Sequence, residues 1–144
     1  MAVSVEAKII DGLCSHFAGL SLSGIAAVAY PNVTFTPPVD GTEPQPYVRL
    51  TIAKNTPVNT SISGGQEPIR QGLLLATVCW PVGTGLIAAS EVAATIRSAF
   101  AFNTSISYQS IQIRITGEPD VKGDIQGDIY TEIPIVIPWS VYPA

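Results

Sequence analysis

Charge is scarce in this chain of 144 residues: Asp, Glu, Lys and Arg make up 12% of it, against roughly a quarter in an ordinary soluble domain. Positive charge is scarcest. The seven basic residues stand singly between Lys8 and Lys122 and the formal net charge is −4, the reverse of what tracking a phosphate backbone requires. Sequence-specific nucleic-acid binding is therefore not expected. Long apolar runs are also missing. No window approaches the roughly 20 residues needed to span a bilayer, and the stretch from Met1 to Lys8 lacks the cationic start and apolar core of a secretion signal. The expectation is a soluble protein made in a cytoplasm, without a membrane partner. Cysteine is limited to Cys14 and Cys79, set in apolar surroundings without a CxxC or Cys/His spacing, so buried reduced thiols are expected rather than a disulfide or a metal site. Sequons begin at Asn32, Asn59 and Asn103; without a secretion signal they are read as chance.

What is abundant is apolar surface, at 47% of residues. A chain of this size can bury roughly two-thirds of its unfolded surface around one core, and one domain over 1–144 is the expectation. With so few charges to hold neighbours apart, its surface suits self-association, although Ser, Thr, Asn and Gln could equally cover a monomer.

Ser4 can cap a helix in which Val5, Ile9, Leu13 and Phe17 recur every fourth residue, with Glu6 at its positive end and Gly19 as a stop. A short apolar run from Ile25 to Tyr30 leads into a proline-rich extended arm over about 31–46. Tyr47 to Ile52 alternates like a half-buried strand, and Leu73 to Trp80 is apolar on both faces, like a central one. Between them, about 54–70 is rich in Gly, Pro, Asn, Thr and Ser, and is expected to be a flexible polar loop that orders on a neighbour.

Thr84 can cap a second helix carrying Leu86, Ala89, Ala93, Ile96 and Phe100 on one stripe, with Glu91 and Arg97 in solvent. Ile111, Ile113 and Ile115 alternate with polar residues, and Ile129 to Ile137 is apolar at every second position, which gives a hairpin with a long acidic tip at about 118–128. Pro134 predicts that the last strand lies at a sheet edge or carries a bulge. The expected fold is α+β: a single, mostly antiparallel sheet of about four strands, with two helices packed on one face. Leu13, Phe17, Ile96 and Phe100 would face Val48, Leu50, Leu75, Ile113 and Ile135.

Each candidate for chemistry has a structural reading. Pro81-Val82-Gly83-Thr84-Gly85 sits where a phosphate cradle would, but lacks the Gly spacing and Lys of a P-loop, so a turn with a helix cap explains it. Asp120, Asp124 and Asp128 are four apart, which does not match the alternating ligands and closing Glu of a calcium loop. His16, the only histidine, has no nucleophile motif beside it, and Glu118 and Glu132 are read as solvated acids. No catalytic, cofactor or metal residue is assigned.

The order of several segments carries a resemblance. Phe35-Thr36-Pro37-Pro38 followed by Pro46-Tyr47-Val48-Arg49-Leu50-Thr51, then Arg70-Gln71-Gly72 into an apolar strand, then Pro81 to Gly85 and an Ala-rich helix ending at Phe100, then Ile129 to Trp139 with its Ile-Pro-Trp, resembles bacteriophage tail terminator-like (tail completion) proteins. The likeness covers nearly the whole chain. It implies a non-enzymatic assembly protein without a cofactor: a homo-oligomeric ring, usually a hexamer, that caps the finished tail tube and meets the head connector or head completion protein. It further implies assembly in the host bacterial cytoplasm and residence in the virion tail. A negative ring would not grip DNA passing through it. The alternatives are another virion component, such as a head completion or tube protein, and a small hydrolase or ligand-binding domain.

Overall fold

A computed structural model of the protein describes residues 4–22, 24–58 and 68–141. Helix α1 spans Val5–Ala18 and starts as its sequence dictates: the Ser4 hydroxyl accepts from the Ala7 amide at 3.2 Å, and Ile9, Leu13 and Phe17 are buried along one stripe. Helix α2 spans Ile87–Ala99 and buries Ala89, Val92, Ala93 and Ile96. Its start differs from the expectation. Leu86 occupies the cap position without a side-chain bond, while Thr84 donates back to the Pro81 carbonyl at 2.8 Å.

The expected four-stranded α+β sheet is wrong. Among the described residues ten strands form, and eight of them belong to one mixed sheet. In chain order they are β1 Ala27–Ala29, β2 Val39–Asp40, β3 Glu43–Pro44, β4 Tyr47–Lys54, β5 Arg70–Pro81, β6 Ser105–Tyr108, β7 Ile111–Ile115, β8 Asp120–Val121, β9 Ile125–Gln126 and β10 Tyr130–Val141. The large sheet runs β1-β4-β5-β10-β7-β6, with β8 and β9 also on β10; β2 and β3 form a separate small hairpin. Only β1 with β4 is parallel among these pairings.

The final strand is not at an edge. β10 pairs with β5 along its full length, from Tyr130 opposite Pro81 to Val141 opposite Arg70. Proline is tolerated there because of which flank it faces. The carbonyl of Pro134 accepts from the Lys122 amide at 2.8 Å, and that of Pro138 from the Thr116 amide at 3.2 Å. A strand residue's N and C=O point to the same side, so both missing donors face away from β5. On that flank β9 covers Thr131 and Glu132, β8 covers Ile135 and Val136, and β7 covers Trp139 to Val141. Each proline falls in a gap between these segments. The acidic stretch is thus not a protruding tip; it runs along β10 and carries β8 and β9.

One core face gathers alternate residues of the long strands, including Val48, Leu50, Leu74, Ala76, Val78, Ile133, Ile135, Ile137 and Trp139, under the stripes of both helices. Leu75, expected in this layer, belongs to the opposite face: it pairs with Thr51 and Val136 and is half-buried. Gly72 lies opposite Trp139, and a Cβ there would sit 2.2 Å from the Ala53 carbonyl oxygen and 2.7 Å from the indole. Only glycine lets the strand and the indole approach this closely. The buried Trp139 N–H has no acceptor among the described residues. The flanks of the polar 54–70 stretch extend the β4–β5 hairpin: Asn55 donates to Gln71, and Val58 and Ile69 exchange bonds, all at 2.8 Å. The middle, including most of the expected loop, lies outside the described residues.

Candidate functional site

The residues singled out for chemistry come apart in the structure. His16 is half-buried and its Nε2 lies 3.0 Å from the Ala99 carbonyl, to which it can only donate; its ring meets Phe100 edge-on at 4.9 Å. This fastens α1 to the end of α2, without a nucleophile or acid beside the ring in those contacts. Gly83 and Gly85 both have φ of +83°, and the Thr84 hydroxyl between them donates to the Pro81 carbonyl, which closes a turn. Glu132 pairs with Arg49 at 2.8 Å, and Glu118 is exposed. Asp120 pairs with Lys122. Among the described residues, no group of three or more His, Cys, Asp or Glu side chains could hold a metal ion.

Sequence reasoning missed a polar cluster on the face of the sheet away from the helices. Register places Tyr47 opposite Cys79, and Cys79 opposite Glu132, while Arg49 reaches Glu132 from the same face. Burial, with the Cys79 thiol beside it, pushes the Tyr47 hydroxyl up to about 12. Burial likewise raises Cys79, whose thiol donates to the Thr77 carbonyl at 3.8 Å. A buried thiol kept protonated is a poor nucleophile. The cluster instead anchors the proline-rich arm: Phe35 packs on Tyr47 at 5.0 Å, Tyr130 meets Tyr47 edge-on at 5.1 Å, and the Tyr130 hydroxyl lies 3.0 Å from the Gln45 carbonyl. The remaining cysteine, Cys14, lies half-buried in a shallow groove with Ile10, Tyr30 and Val33, and burial raises its thiol too.

The arm, once anchored, shapes one end of the sheet. Glu43, Pro46, Trp80, Val82, Asp128 and Ile129 line an open cleft where the β2–β3 hairpin, the end of β5 and the start of β10 meet. Ile129 is itself exposed, and the segments that reach the cleft also expose Val39, Leu86, Ile87 and Ile125, with Ile87 at 83%. No helix among the described residues is long and apolar enough to cross a membrane.

Among the described residues the candidates for chemistry are thus not brought together at one site. One solved structure aligns with a TM-score of 0.70 over 97% of this chain and 96% of its own; at 22% identity this likeness bears on the fold alone. Comparison with curated proteins gives no match. The family model described as phage tail terminator protein matches residues 8–139, nearly the whole chain, and the protein therefore belongs to the phage tail terminator family, a component of phage tails.

Proposed function

We propose that this protein is a single terminator domain that closes into a ring, hexameric by family resemblance, caps the finished tail tube and joins it to the head connector or head completion protein. The family match over residues 8–139 carries the reading. In this reading the protein performs no catalytic step, is made in the host cytoplasm and ends in the virion tail. The fold supports ring closure. The large sheet ends in two unlike edges, β1 and β6, and head-to-tail contact between unlike surfaces closes a ring when the rotation permits. Neighbours on those edges leave the strand ends facing along the ring axis, where tube and head would be met.

The test is genetic and structural. A phage carrying a deletion of this gene is grown with and without the protein supplied in trans, and tails are measured by electron microscopy. Without it, tails should vary in length and fail to join heads, and the supplied protein should restore both. Tails of unit length that join heads in its absence would refute the proposal.

A further inference from the structure

We infer that the end of the sheet carrying the β2–β3 hairpin, the 82–87 turn and the 124–129 segment is the surface that docks on the end of the tail tube, and that the tube presents an apolar patch bordered by Lys or Arg there. This inference rests on the terminator reading above.

Two observations meet at this end. Five of the ten large apolar side chains exposed among the described residues, Val39, Leu86, Ile87, Ile125 and Ile129, lie on these three segments, which meet at the cleft through Glu43, Val82, Thr84, Asp128 and Ile129. Exposed apolar side chains scattered singly need no explanation, but half of them concentrated on three segments that meet at one cleft point to an interaction site. The charge around it has one sign. Asp40, Glu43, Asp124 and Asp128 belong to the same three segments, which contain no Lys or Arg, and none of the four forms an ion pair among the described residues. Two bases on adjoining segments are already engaged, Arg49 with Glu132 and Lys122 with Asp120. A partner that buries the apolar group must therefore offset four carboxylates at the rim, and a basic border does so while steering encounter.

A second copy of this chain fits less well. At the opposite end of the sheet, where Lys54, Arg70 and Arg114 lie on neighbouring strands, Arg70 is already paired with Glu6 at 3.2 Å, so end-to-end stacking would offset the four carboxylates only in part. Such contact joins unlike surfaces along one direction and grows an open filament, whereas the proposed role is to stop growth.

The test uses tail tubes purified from a terminator-deficient lysate, with the full chain cosedimented at increasing salt. The parent should bind and weaken as salt rises. Glu43→Lys with Asp128→Lys, and separately Ile87→Ser with Ile129→Ser, should weaken binding by at least about tenfold, while Glu91→Lys on the exposed face of α2 should not. Thermal melting confirms folding; if a double variant fails it, Glu43→Gln and Ile129→Ser are used singly. End variants that bind tubes like the parent overturn the inference while sparing the terminator reading. Variants that keep tube binding but lose self-association assign the surface to a second copy and also overturn it. A parent that does not bind tubes refutes both.

Discussion

Replacing Phe100 with alanine tests the assignment of the helix-covered face. Phe100 is completely buried at the end of α2, stacked on Phe17 at 6.3 Å and met edge-on by His16 at 4.9 Å. Truncation removes the ring from a site bounded by two helices, which cannot collapse without moving the His16 bond to Ala99. Phe→Ala in such sites costs about 3–5 kcal/mol, and the loss of two aromatic contacts places this case towards the upper half. For a chain of this size that corresponds to a melting temperature lower by roughly 10–15 °C. Phe102, two residues on and 61% exposed, supplies the internal comparison: Phe102→Ala should change stability by less than about 0.5 kcal/mol. Urea denaturation of both variants, with the slope checked for two-state behaviour, reads the difference. If Phe100→Ala loses less than about 1 kcal/mol, or no more than Phe102→Ala, the packing of α2 on the sheet is misassigned.

Gly72→Ala should destabilise by about 3 kcal/mol or prevent folding, because its Cβ would collide with the Ala53 carbonyl and the Trp139 indole; soluble yield and denaturation midpoint check this. Tyr47 rises from 10 to about 12 in the folded protein, so the unfolded chain gives up that proton first and stability should fall as pH climbs from 10 to 12, by roughly 2–3 kcal/mol at most. Tyr47→Phe should flatten that part of the alkaline stability profile. Tyr130→Phe removes the hydroxyl that bonds the Gln45 carbonyl and should cost about 1 kcal/mol, read as faster amide exchange at Gln45, whose N–H bonds Pro38. Burial and raised thiols should leave Cys79 unlabelled by a thiol reagent at pH 8 until the protein unfolds, with Cys14 reacting slowly, as followed by mass spectrometry.

Periodicity made α1 and the long strands legible in the sequence, since Ile9, Leu13 and Phe17 repeat at helical spacing and Ile111 to Ile115 alternates cleanly. It failed where both faces are apolar. Leu73 to Trp80 offers no contrast between its faces, so Leu75 was expected on the wrong one. The β6–β7 hairpin was hidden by its turn: Gln109 and Ser110 both take positive φ, as a two-residue hairpin of the I′ kind requires, without the Asn-Gly that usually announces it. β8 and β9 are two residues each and exposed, held by backbone pairing that leaves no alternating hydrophobic signature. β1 is only three residues long and finds its partner in a parallel pairing twenty residues away. Of the arm's anchors, the Pro-Pro and Pro-Tyr segments were visible, but the Tyr47, Cys79 and Glu132 cluster depends on register between distant strands. The exposed apolar end likewise exists only once three separate segments meet.

The placement of Pro134 and Pro138 bears on how reliably the chain finds its fold. Both rings present their missing donors to the interrupted flank of β10, leaving the β5 flank fully able to bond. Shifting β10 by one residue against β5 would turn both prolines into that ladder and at the same time carry Ile133, Ile135, Ile137 and Trp139 to the uncovered face. Two independent penalties therefore guard a twelve-residue pairing against its commonest error. The same prolines discourage a stray strand from adding continuously along that side of β10 during synthesis.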